Sequence, residues 1–413
     1  MFRNYLLTAW KVLLRRKVFT FISLFGIAIT LTVLMVASTI IDSYLYPTGP
    51  QKNSDNFLSI SRLTLKAKNS VNNSNPGFKF LTTNVSRLKS PELISFFTQP
   101  QSVATFLSGI KLNNSLRRTD SNYWKILNFE FIEGNYYSKE DVQAGKNVMV
   151  ISQTTAREFF GPGKVVGKNL VASNQTFSIV GVVKDVSQME QSAASDMWVP
   201  YTTAPSTQYQ HEMMSGWEVL LYHSNPQMLV EMKSEYAHLL KNDFVTPDPE
   251  RYKTAHSGAD TPLERLARKF TGSWGDDSNL SGIIYLFIFG GLGFMLLPSV
   301  NLINLNISRI MERSSEIGVR KAFGASGSQL VVQFVVENIL ITAIGGIIGL
   351  FLSWFVLYQI GATDFIANAD FSLNWRTFLV STILILILGI ISGVYPAYKM
   401  SRIHPVIALK GAL

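Results

Sequence analysis

The sequence predicts an α-helical membrane protein with four transmembrane helices and a large α+β extracytoplasmic domain inserted between helices 1 and 2. Three observations carry this prediction. Apolar runs at residues 19–41, 282–307, 330–360 and 378–395 are each of a length that can cross the ~30 Å of a bilayer interior. Residues 42–280 form a hydrophilic insertion with no stretch able to span. Positive charge is concentrated beside the apolar runs: residues 1–18, 308–328 and 397–413 hold 5, 4 and 3 Lys or Arg against 2 acids, whereas 42–280 sets 24 bases against 23 acids. Such a bias places those three stretches on the cytoplasmic side and the insertion outside the cytoplasm.

The net charge of +9 is therefore a sign of membrane orientation, and nucleic-acid binding loses its main support. There is no cysteine, which excludes disulfides, thiolate metal sites and cysteine nucleophiles. The five histidines are scattered, and His211-Glu212 cannot form a zincin site because Ser215 stands where the second histidine is needed.

Residues 1–18 predict an interfacial amphipathic helix, with Phe2, Leu6, Ala9 or Trp10, and Leu13 at helical spacing and Arg3, Lys11 and Arg15 to Lys17 around it. Helix 1 follows at residues 19–41. Its length and bulky head favour a retained signal anchor over a cleaved signal peptide. In the domain at 42–280 the patterning predicts strands at 148–151, 176–183 and 217–222, and helices at 154–160 and 226–240. Residues 261–270, TPLERLARKF, place Leu263, Leu266 and Phe270 on one side of a helix that leads the chain back to the membrane.

Little in the domain points to catalysis. GPGKVVGK at 161–168 looks like a phosphate loop, but its glycine spacing is one residue too long and Asn169 stands where Ser or Thr must meet magnesium. Glu130, Glu133, Glu140 and Asp141 cluster in sequence and read as solvated surface acids.

Helix 2, at 281–307, contains Pro298, which removes a backbone donor and predicts a kink, together with Asn301, Asn304 and Asn306. Helix 3, at 329–360, carries Glu337 near its cytoplasmic end, where a structural partner such as an interfacial Arg fits better than a proton relay. Gly345-x-x-x-Gly349 on helix 3 and Gly389-x-x-x-Gly393 on helix 4 permit close helix approach, within the bundle or across a dimer. A short outer loop spans 361–376, helix 4 occupies 377–396, and a cytoplasmic tail runs from 397 to 413.

The cytoplasmic loop at 308–328 contains Arg309, Glu312, Arg313, Glu316, Arg320 and Lys321. Glu316 and Arg320 stand four apart in the orientation that supports a helix, and Gly324 offers a stop. On charge alone this is either a solvated basic loop or a short amphipathic helix tied at both ends to membrane spans.

The passage from Gly291 to Gly349, above all ERSSEIGVRKAFGAS, resembles the membrane core of the MacB/FtsX family of ABC-transporter permeases. YWKILNFEFIEGNYYSKEDV, VMVISQTTAREFFG and FSIVGVVKDV are similar to that family's periplasmic core domain, while 50–115 and 185–280 match only loosely. The resemblance implies that the loop is a coupling helix docking on a cytoplasmic ATPase, with Arg309, Glu312, Arg313, Glu316, Ile317, Gly318, Arg320, Lys321, Gly324 and Ala325 as the coupling residues. It implies a permease subunit of the bacterial inner membrane, with both termini cytoplasmic and residues 42–280 periplasmic. It further implies a second permease copy or homologue and no cofactor in this chain, ATP and magnesium belonging to the partner ATPase. Movement of the extracytoplasmic domain would then serve efflux of drugs or peptides, with a periplasmic adaptor and outer-membrane channel, or release of lipoprotein cargo. A regulatory protein acting on a partner such as a cell-wall hydrolase is the alternative. A membrane-anchored hydrolase has no nucleophile or metal constellation to support it.

Overall fold

A computed structural model describes residues 2–15, 17–107, 109–293 and 327–363, with Val319, Leu379, Val380, Ile383, Ile387 and Ile390. These fall into two compact units, one formed by described residues of 1–41 and 285–363 and the later isolated positions, the other by 42–284.

In the first unit, α1 (Phe2–Arg15) buries Ala9 and Leu13 and leaves Trp10 exposed, which decides between Ala9 and Trp10 for the inward position. The helices α2 (Lys17–Leu45) and α10 (Gly327–Ala362) are both long and apolar enough to cross a membrane. Between them the shorter apolar helix α9 (Leu280–Gly293) begins helix 2 of the sequence reading. On α10 the buried positions step by four, from Gln333 and Glu337 through Ile341, Gly345 and Gly349 to Ser353 and Leu357. This is the ridge along which one helix packs on another, and α2 lies against it through Ile27, Leu31 and Leu24.

The second unit contains a 10-stranded sheet and a 3-stranded one. The large sheet uses β1 (Phe57–Ile60), β4 (Leu93–Thr98), β5 (Gln101–Leu107), β6 (Ile110–Thr119), β7 (Phe131–Gly134), β8 (Val148–Ser152), β9 (Asn169–Ala172), β10 (Gln175–Val183), β11 (Met197–Pro200) and β12 (Trp217–Tyr222). The small one uses β2 (Leu63–Lys66), β3 (Val71–Ser74) and β13 (Thr254–His256). Because β5 pairs with both β9 and β6, the run β6-β11-β8-β10-β9-β5 closes on itself as a barrel, while β4, β12 and β1 extend from β6 as an arm. The period-2 alternation of strands divides the residues between two cores. Met149, Ile151, Met197 and Val199 join one apolar cluster, and Val150 and Trp198, between them in sequence, join another. A third cluster lies between the arm and the helices α3 (Phe78–Thr83) and α7 (Met228–Asn242).

Most expected elements are found. The strands at 148–151, 176–183 and 217–222 are β8, β10 and β12, and the helix at 154–160 is α6 (Gln153–Phe160). The helix expected from Pro226 starts at Met228, because Asn225 turns its side chain onto the amide of Gln227. The helix expected at 261–270 is found. The helix is α8 (Pro262–Thr271), but Phe270 is 63% exposed, and the buried positions are Leu266, Ala267 and Arg268. An inward ion pair between Arg268 and Asp260 turns the helix this way.

Candidate functional site

The helix α8 begins on a capping box. Thr261 accepts the amide of Glu264, and the Glu264 carboxylate accepts the amide of Thr261 at 2.8 Å, which fixes the first turn. Arg268, one turn past Glu264, donates to both oxygens of Asp260 at 2.7 and 2.9 Å and to the carbonyl of Gly275 at 2.6 Å. Both side chains of that pair are almost fully buried, and the fork geometry is the one in which a guanidinium holds a carboxylate best. Downstream, Arg62 lies over Trp274 at 4.6 Å and donates to the carbonyl of Ser273. The segment leading from α8 to α9 is therefore anchored to the small sheet.

Arg265 forms the second inward contact. It donates to Glu218 on β12 at 2.8 Å and to the hydroxyl of Ser192 at 2.6 Å. Burial opposes its charge, but Glu218, Tyr44 and Asp260 outweigh that and raise its pKa above the ordinary value. Gln99 donates to the other oxygen of Glu218. Ser192 in turn donates its amide to the side chain of Gln51 at 2.9 Å, and the amide of Gln51 donates to Glu190 at 2.6 Å. Tyr123 donates to the carbonyl of Ser192. Gly49 makes this possible, since a Cβ there would stand 2.1 Å from a Glu190 oxygen. The residues enclose a cavity of about 20 Å³ beside Tyr44, Ser59 and Asp260, room for about one water.

One buried network thus ties together the turn that follows α2, the strap 186–196, β12 and α8. All of these residues belong to the second unit. Removing one member of a buried pair leaves an uncompensated charge, at a cost of roughly 3–5 kcal/mol.

The sequence reading missed these residues. The available signal was Glu218, a lone acid in the otherwise apolar strand WEVLLY, because acids are almost never fully buried unless paired. Which base answers it could not be read, since Arg265 is distant in sequence. Of the residues the sequence reading did select, Glu337 is buried on α10, and Gly345 and Gly349 lie against α2. Arg309, Glu312, Arg313, Glu316, Ile317, Gly318, Arg320, Lys321, Gly324 and Ala325 lie outside the described residues, as do Pro298, Gly389 and Gly393. In the phosphate-loop lookalike the amides of Val165 and Val166 are taken by the Glu133 carboxylate at 2.9 and 3.2 Å. Glu133 is therefore a structural acid rather than a solvated one. Glu130 faces Lys184 and Asp141 faces Lys146 and Ser138, so the acids of that stretch do not converge.

Comparison with known proteins adds the following. Residues 20–237 match the MacB-like periplasmic core domain, and residues 288–405 match the FtsX-like permease C-terminal domain. The uncharacterized ABC transporter permease YknZ of Bacillus subtilis (strain 168) is 24% identical over 291 residues, covering 70% of this chain and 68% of that protein. The macrolide export ATP-binding/permease protein MacB of Chromobacterium violaceum is 25% identical over 305 residues, covering 73% of this chain and 44% of that protein, so the chain spans less than half of it. Among solved structures, the periplasmic region of MacB from Actinobacillus actinomycetemcomitans is 16% identical, with 53% of this chain and 94% of that chain covered and a TM-score of 0.39.

Proposed function

The chain belongs to the MacB/FtsX-like family of ABC-transporter permeases, and from that premise we propose that it is the permease subunit of a mechanotransmission transporter. It is a protein of the inner membrane with an extracytoplasmic domain, and permeases of this family work with an ATPase and a second permease copy. In our reading four helices cross the membrane with both termini in the cytoplasm. The ATPase grips the loop 308–328 through Glu312, Glu316 and Arg320, and its cycle moves the helices. The extracytoplasmic domain carries that movement to its cargo, with ATP and magnesium held by the ATPase.

The supporting observation is the buried network itself. Gln51 after α2 and Arg265 before α9 meet through Ser192, and Glu218 carries the join into the sheet. In this reading, displacement of a helix end is carried through that join to the arm and barrel. Drug or peptide efflux through a periplasmic adaptor and outer-membrane channel is one use of such movement, and release of a lipoprotein is the other. A channel or a lipoprotein recovered with the complex separates them.

The test is Glu316→Ala combined with Arg320→Ala in the complex purified from membranes. Loss of the ATPase from the complex, with the permease still folded, is the expected result. Unchanged ATPase association together with unchanged transport sinks the coupling assignment.

A further inference from the structure

Two consecutive arginines on β6, Arg117 and Arg118, are buried, and neither is paired with a carboxylate among the described residues. As neighbours on a strand they point to opposite faces. Arg117 is closed off: its Nη2 donates to the carbonyls of Gln191 and Ala194 at 2.8 and 3.0 Å, and its unbonded Nε and Nη1 are sealed from solvent. Arg118 differs at its tip. The residue is only 8% exposed, and its Nη1 donates at 3.0 Å to the hydroxyl of Thr203, in the short helix Tyr201–Thr203 that follows β11. That hydroxyl donates in turn to the carbonyl of Pro200 at 2.8 Å, which turns its lone pairs towards Arg118 and holds the planar head in one orientation. The opposite edge, Nε and Nη2, has no partner among the described residues and, unlike the orphan atoms of Arg117, is not sealed from solvent.

Burial lowers the pKa of Arg118, but a guanidinium stays charged at any physiological pH. After burial, the groups that bear on it are the phenols of Tyr209 and Tyr137, and no carboxylate is among them. A buried cation without a counter-ion gains more from an anion than an exposed one does, because the low dielectric strengthens the attraction. The open edge also selects among anions. Its parallel Nε–H and Nη2–H match the two oxygens of one carboxylate, whereas chloride is a single point. No second cation bears on Arg118, so a diacid or a phosphate would keep charge unanswered. Only this edge of a buried side chain meets solvent, so the opening admits one small group and excludes a broad partner surface. We propose that Arg118 is the base of a binding site for a small organic monocarboxylate, held by Nε and Nη2 together. The site lies within the extracytoplasmic unit and does not depend on the coupling assignment.

The test titrates the full-length protein, in detergent micelles and at constant ionic strength, with acetate carrying an isotopic label at its carboxyl carbon. The expected result is a saturable broadening of the carboxyl resonance, reversed by excess unlabelled formate and not by equal concentrations of chloride or inorganic phosphate. Arg118→Lys keeps the charge but removes the fork, and should weaken binding at least about tenfold, while Arg118→Gln should abolish it. Because no carboxylate faces Arg118, neither replacement strands a buried charge, and both proteins should keep the melting temperature of the parent. Thr203→Val leaves Arg118 in place but frees its head, and should weaken binding several-fold; it decides the matter if an Arg118 variant fails to fold. Broadening that survives these replacements, equal displacement by chloride or phosphate, or no broadening at all overturns the proposal. Neither ATP nor the ATPase enters the measurement, so failure here leaves the coupling assignment standing.

Discussion

The two units hold their elements together by opposite means. In the membrane unit α10 meets α2 where side chains are smallest: a Cβ on Gly345 would stand 2.9 Å from the Cγ2 of Ile27, and one on Gly349 2.9 Å from the Cβ of Leu31. Hydroxyls contribute there, Thr32 of α2 donating to the carbonyl of Gly349 across the contact and Ser353 donating to the same carbonyl within α10. In the extracytoplasmic unit α8 is held by two buried ion pairs, Arg265 with Glu218 and Arg268 with Asp260. Lipid offers no hydrophobic drive for one helix to leave it for another, so close backbone approach must supply the contact. Water does supply that drive, and buried charge then specifies one position for α8, because a shifted helix would leave both pairs broken.

The largest expected break in this contrast is Arg265→Met. Glu218 would remain buried with only Gln99 beside it, and the domain should lose roughly 3–5 kcal/mol, read as an earlier fluorescence melt of the intact protein. Adding Glu218→Leu should recover most of that loss, since a matched apolar pair often substitutes for a buried ionic one. Coupling should not recover, because the join to Ser192 is gone. If the double replacement transports normally, the ion pair serves stability alone.

Asp120 sharpens the point from the other side, being buried with neutral donors only. It accepts the amides of Phe96 and Tyr123 and the hydroxyl of Ser95, yet burial outweighs those bonds and pushes its pKa up to about 6 from 3.8. The folded state then holds this proton more tightly than the unfolded chain. The contribution, about 3 kcal/mol in total, is present in full below pH ~4 and lost as the pH rises through about 6. Domain stability should therefore fall between about pH 4 and 6, against the acid-side loss expected from Glu264, whose pKa is lowered despite burial by Lys233 and Thr261. Replacement by asparagine should flatten the slope, and an unchanged slope would remove Asp120 from the account.

In the membrane unit shape should matter where charge does not. Gly345→Leu must push α2 and α10 apart at Ile27, at about 1–3 kcal/mol of overpacking, while Gly345→Ala should cost less. Cross-linking between cysteines placed at Leu24 and Ile344, which belong to the same cluster, reads the separation. Undiminished cross-linking in the leucine variant would show that this contact yields freely.

How far the fold could be read follows the same division. Period-2 and period-3.6 patterns located β8, β10, β12, α6 and α7 because those depend on near neighbours. Closure of the barrel through β5 could not be read, since pairing of β5 with β9 joins residues such as Phe106 and Val171 that no local pattern connects. Spacing put Leu263, Leu266 and Phe270 on one side of α8 but could not tell that Arg268 takes the inward direction onto Asp260 while Phe270 lies exposed. Glycine spacing marked Gly345 and Gly349 as a place of close approach but could not name α2 as the partner. The buried network was the least legible part. Its members, Gln51, Glu190, Ser192, Glu218 and Arg265, are individually unremarkable polar residues that become a site only when the fold gathers them.

The smallest effect should come from the start of α8. Thr261→Ala removes the hydroxyl that accepts the Glu264 amide, at about 1 kcal/mol for a lost cap, or a melt earlier by about 2–4 °C for a domain of this size. Thr261→Ser keeps the oxygen and should restore most of it. The pair of variants asks what sets the register of α8. If alanine costs the expected amount, the local cap and the distant ion pairs act together, and Arg265 is aimed at Glu218 partly by the first turn of its own helix. If alanine costs nothing, the two buried pairs alone hold the helix, and the contrast with the glycine-packed membrane contact is wider than the geometry of the first turn suggests.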